Sequence, residues 1–115
     1  MTTNRSEYVD AQRKICDRCA AEFTPIDWGL RVAIADDFFG DALPKNGVRI
    51  EVEGNMTGWY LYAGETISED VDYYKPYCAK HLPDILPSVI PYLGLPVGWR
   101  FIFAPGYEDV WCVES

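Results

Sequence analysis

Val48, Ile50 and Val52 alternate with Arg49, Glu51 and Glu53. Successive side chains of a strand point to opposite faces, so this period of two calls for a sheet with one buried face. Leu30, Val32 and Ile34 alternate with Arg31 and Ala33 in the same way. Trp59 to Ala63 is apolar at every position, which suits a central strand with both faces covered. Trp99–Ala104 and Tyr107–Val113 flank Pro105-Gly106 and read as a terminal hairpin. Asp36 to Asn46 reads as a loop with a turn signal at Asn46-Gly47. Gly54-Asn55 and Gly64 mark further breaks.

Helical spacing occurs in three places. Ser6 to Ala21 carries an apolar stripe of Tyr8, Ala11, Ile15 and Cys19, with Cys16 beside it and Gln12 narrowing it. Ser6 is placed as the N-cap, and Pro25 ends helical geometry. Ser68 to Cys78 reads as a second helix limited by Pro76. Leu82 to Leu93 has helical apolar spacing cut by Pro83, Pro87 and Pro91. Proline fits best in a first turn, so two short helices are expected, starting near Pro83 and Pro87, with Gly94 as a C′ residue. The pattern predicts a single α+β domain over residues 1–115. Its sheet is mainly antiparallel with about five strands, an N-terminal helix, and short helices inserted before a C-terminal hairpin.

The chain has 115 residues and a formal net charge of -8. Nucleic-acid binding needs clustered Lys and Arg, which this balance does not supply. Aromatics make up 15% of the chain, too many for a disordered acidic tail. No run approaches the ~20 apolar residues of a membrane span. The first residues lack the apolar core of a signal peptide, so a cytoplasmic protein is expected.

Cys16-x-x-Cys19 and Cys78-x-x-His81 together make a possible Cys3His zinc set. The alternative is burial: Cys16 and Cys19 share one helical face, and cysteine packs as a small apolar residue. No other cofactor is indicated. Catalytic signatures are also missing. His81 is the sole histidine, no serine lies in a nucleophile elbow, and the glycines form no phosphate loop. No catalytic residue is assigned, and the chain is read as a non-enzyme.

Acids and rings fall together instead. Glu65, Glu69, Asp70 and Asp72 precede Tyr73 and Tyr74, and Glu108 and Asp109 lie between Tyr107 and Trp111. Rings supply contact area and carboxylates steer a basic protein, so these residues are candidates for a partner surface. Trp59, Trp99 and Trp111 are expected in the core.

From Thr57 onward the chain resembles a bacterial family of small immunity proteins from polymorphic toxin systems, family thirty-three in the usual naming. The resemblance rests on Thr57-Gly58-Trp59-Tyr60-Leu61-Tyr62-Ala63-Gly64-Glu65 and Ser68-Glu69-Asp70-Val71-Asp72-Tyr73-Tyr74. It continues through His81-Leu82, Tyr92-Leu93-Gly94-Leu95-Pro96-Val97-Gly98-Trp99-Arg100-Phe101 and Tyr107-Glu108-Asp109-Val110-Trp111. Cys19, Cys78 and Pro91 depart from the residue types expected at their positions. The resemblance implies binding and neutralisation of a cognate toxin inside the producing cell. It carries no catalytic motif.

Overall fold

The computed structural model describes residues 5–52, 54–64 and 73–112. Helix α1 (Arg5–Cys19) is followed by β1 (Arg31–Ala35), a 3-10 turn at Asp36–Phe39, β2 (Lys45–Arg49) and β3 (Met56–Ala63). Strand β4 (Tyr74–Cys78) leads into a 3-10 turn at Ala79–His81, helix α2 (Leu82–Ile85) and a longer 3-10 turn at Pro87–Tyr92. Strands β5 (Trp99–Ala104) and β6 (Tyr107–Cys112) complete the described residues. The six strands form one sheet in the order β4-β1-β3-β2-β5-β6. Only β1 and β3 pair in parallel; the other four pairings are antiparallel. The α+β class, the N-terminal helix and the terminal hairpin are as expected, with one strand more.

One face of the sheet carries the core. Val32, Ile34, Trp59, Leu61 and Phe101 project from it against Ile15 and Cys16 of α1 and against Leu82, Val89, Ile90 and Leu93. The breaks at Pro83 and Pro87 fall where expected, in the first turns of α2 and of the 3-10 turn. The helix and this turn are joined by two long-range bonds. Gln12 Nε2 donates to the Ile90 carbonyl at 3.0 Å, and the Cys16 thiol donates to Gly94 O at 3.4 Å. Gln12 is therefore buried at the centre of the stripe, not at its edge. A buried amide is tolerated because its donor is satisfied. Gly94 permits this approach: an added Cβ would lie 2.9 Å from both Gln12 Cβ and the Phe23 ring. Ser6 falls inside α1, so it is not the N-cap.

Three strand expectations are corrected. Asn46-Gly47 is not a turn but part of β2. Gly47 is needed there because Phe101 fills the space above it; an added Cβ would meet that ring at 2.1 Å. Strand β2 also ends at Arg49, so Ile50 is exposed and Val52 only half-buried. Val48 is buried as expected, but so is the charged Arg49. Its guanidinium donates to the carbonyls of Thr24 at 2.7 Å, Leu95 at 2.8 Å and Thr57 at 3.2 Å. Burial pushes its pKa down, and the three carbonyls supply the polar partners that a buried cation needs.

The segment expected as a second helix forms edge strand β4 instead, while residues 65–72 lie outside the described residues. Ala79 N–H donates to Leu30 O, which sets the alternation of the β1–β4 ladder. Pro76 then falls in a non-hydrogen-bonded pair, its nitrogen turned away from β1. An edge strand accepts proline in that position alone, so proline here marks an edge and not a helix.

Candidate functional site

The described candidates separate into two groups. Tyr73 and Tyr74 lie at the start of β4, and Glu108 and Asp109 lie on β6. These strands are opposite edges of the sheet, five strand spacings or about 24 Å apart. Glu65, Glu69, Asp70 and Asp72 lie outside the described residues.

At the first edge, the Tyr73 hydroxyl donates to Asp37 Oδ2, and its ring meets Tyr74 edge-on at 5.1 Å. Tyr74 in turn meets Tyr60 at 5.1 Å. Asp37 also accepts the Ala63 N–H at 3.1 Å. The hydrogen bond to Asp37 pushes the Tyr73 phenol up to about 12. Tyr73 thus helps to hold the Asp36–Phe39 turn.

At the second edge, Glu108 faces the helical layer. It accepts the Tyr92 hydroxyl, and Arg18 Nη2 approaches its other oxygen at 2.5 Å. The Tyr92 hydrogen bond, with the Arg18 guanidinium after it, holds the Glu108 carboxyl below its usual range. Burial, with Glu108 beside it, pushes the Tyr92 phenol up. Glu108 therefore joins α1, the Pro87–Tyr92 turn and β6, and it is committed within the chain.

Asp109 points the other way along the alternating strand, with Tyr107 and Trp111. Tyr107 is 55% exposed and Trp111 36% exposed, so Trp111 is a surface ring and not the core residue expected of it. It stands opposite Arg100 on the face away from α1. Trp59 is fully buried, as expected, its indole donating to Leu93 O at 3.1 Å; Trp99 is half-buried. A cleft of about 420 Å3 runs along this edge, lined by Arg18, Trp99, Asp109, Trp111 and the thiols of Cys19 and Cys112.

The Cys3His set does not assemble. Among the described residues, no group of three or more His, Cys, Asp or Glu side chains is placed to hold a metal ion. The sheet explains the separation. Tyr77 packs toward the helical layer, so its neighbour Cys78 turns to the opposite face, away from Cys16 and Cys19 on α1. Cys16 is buried and its thiol pKa is raised by that burial, while His81 is exposed in a groove with Tyr77 and Asp84.

Missed in the sequence is an apolar groove of about 550 Å3 lined by Phe39, Tyr77, His81, Asp84 and Ile85. Its one legible signal was the Phe38-Phe39 pair inside a stretch read as loop. Among the described residues, no helix is long and apolar enough to cross a membrane.

The family follows from the whole chain. A model of the Imm33-like domain matches residues 11–113, from the middle of α1 past the end of β6. The chain belongs to this immunity-protein-like family. The Imm33-like match covers both edge strands of the sheet and the contact of Arg18 with Glu108. No curated protein and no solved structure gives a significant match.

Proposed function

We propose that this chain is an immunity protein that binds and neutralises a cognate protein toxin in the cytoplasm of the bacterial cell that makes both. Its contact surface is acidic and aromatic, and it covers a basic active-site cleft of the toxin. The observation that carries this reading is edge strand β6 in an Imm33-like domain. There Tyr107, Asp109 and Trp111 stand exposed around one carboxylate and Glu108 fixes the strand from behind. Rigid rings at low entropic cost and a steering charge are what a tight, fast protein contact needs. Glu65, Glu69, Asp70, Asp72, Tyr73 and Tyr74 form the second part of the proposed surface. Function here is binding, not catalysis, and no cofactor takes part.

The test is affinity for the toxin encoded beside the gene. Asp109→Lys combined with Trp111→Ala should weaken binding at least 100-fold, with association slowing as salt is raised in the wild type. Glu69, Asp70 and Asp72 reversed together form a separate arm. Unchanged affinity in both arms sinks the surface assignment, and no binding by the wild type sinks the function.

A further inference from the structure

The groove beside β4 is built, not incidental. Phe39 is 42% exposed and Ile85 40% exposed, and both line it with Tyr77 between. The Phe39 and Tyr77 rings lie 5.3 Å apart at 55°. An apolar residue on a loose loop would be unremarkable. The turn that carries Phe39 is not loose. Its neighbour Phe38 is buried at 3% exposure, Asp37 binds Ala63 N–H and the Tyr73 hydroxyl, and Asp36 meets Lys75 at 3.0 Å. Lys45 Nζ closes the turn from below, donating to Phe38 O at 2.9 Å and Gly40 O at 2.6 Å. Contacts on both sides of Phe39 hold its ring toward solvent, so its exposure is preorganised.

The lining also says what it fits. Phe39, Tyr77 and Ile85 make it mainly apolar, and its two polar residues are His81 and the carboxylate Asp84. It lies open to solvent along an edge strand, which suits a side chain presented by another protein better than an enclosed small molecule. A second copy of this chain would bring another charge of -8 toward Asp84, and is disfavoured.

We propose that this groove is an anchor site of the toxin interface, taking a large apolar side chain flanked by Lys or Arg, with the cation against Asp84. This rests on the immunity reading above and adds an apolar anchor to the β4 edge, where Tyr73 and Tyr74 already belong to the proposed surface.

Two measurements decide it. In the first, toxin affinity is compared for the wild type, Phe39→Ala and the pair Phe39→Ala with Ile85→Ser. Both positions are on the surface, and thermal unfolding checks that each variant is folded. A loss of at least 30-fold for Phe39→Ala, with Asp109→Lys losing affinity separately, supports the site. Wild-type affinity in the double variant overturns it while leaving the immunity function standing. In the second, the end-blocked peptide Lys-Trp-Lys is titrated against the labelled protein and followed by NMR. Saturable shifts at Phe39, Tyr77 and Ile85, lost in Asp84→Lys and absent with Glu-Trp-Glu, support the chemistry assigned. If the wild type fails to bind the toxin, the immunity reading falls by itself. The anchor is then judged on the peptide alone, and shifts that are absent or spread elsewhere overturn it.

Discussion

Arg18 and Glu108 stand 90 residues apart in sequence and meet at 2.5 Å, which fastens the last turn of α1 to β6. Because Tyr92 and Arg18 depress the Glu108 pKa, the folded state binds this proton less readily than the unfolded chain. The stabilisation is complete above the ordinary carboxylate value near 4.5 and is lost as pH falls through the depressed folded value. Glu108 is partly exposed, so solvent screening limits the effect to about 1 kcal/mol. Urea unfolding at pH 7 and at pH 3 should show Glu108→Gln destabilised at the higher pH and close to wild type at the lower.

Arg49 is the buried group with most to lose. Arg49→Ala leaves three carbonyls without their donor and should cost about 3 kcal/mol or more. Arg49→Lys cannot reproduce the fork and should lie between the two. Denaturant midpoints of the three proteins give the order directly.

Gly47→Ala places a methyl group inside the Phe101 ring. Phe101 is itself stacked on Tyr92 at 4.5 Å, so it has little freedom to move aside. A loss of about 2–3 kcal/mol is expected from overpacking. Adding Phe101→Leu should recover part of it, and a double-mutant cycle measures the coupling.

The thiols should separate by reactivity. Cys112 is exposed, whereas Cys16 is buried, bonded to Gly94 O and raised in pKa by that burial. Native alkylation followed by mass spectrometry should label Cys112 first and Cys16 only in denaturant.

Both sheet edges are guarded. Pro76 removes an outward donor from β4. On β6, counting from the two-residue turn, the Phe101–Val110 pair is non-hydrogen-bonded, so the Val110 N–H faces outward. Asp109 Oδ1 takes that N–H at 2.9 Å. Replacing both, as Pro76→Val with Asp109→Val, should produce concentration-dependent self-association in sedimentation velocity.

The parts legible in sequence were those where local chemistry and tertiary demand agree. Pro83 and Pro87 fall in the first turns of short helical segments, where the missing N–H has no partner to lose. Pro105-Gly106 turns a hairpin, with Gly106 at φ +75°. What misled was the strongest local pattern. Val48, Ile50 and Val52 alternate cleanly, yet the strand stops at Arg49 and that charged side chain is buried along with Val48. Its carbonyl partners, Thr24 and Leu95, are distant in sequence, so no window around Arg49 contains the reason. Asn46-Gly47 failed likewise, because the ring that requires the glycine comes from Phe101. Of the candidate surface, the β6 acids were found but not their division of labour. Period two sends Glu108 inward and Asp109 outward, which becomes visible only once β6 has a known inner face.

The bonds from Gln12 to Ile90 and from Cys16 to Gly94 each span 78 residues. During synthesis α1 therefore emerges long before the turn that buries it. At about 5–20 residues per second, the ribosome needs roughly 4–16 seconds to supply the missing partner. Through that interval Ile15 and Cys16 have no interior to enter, and the nascent helix is a natural substrate for a holding chaperone. Chains released before residue 94 lack the Cys16 bond to Gly94 and leave that part of the stripe uncovered.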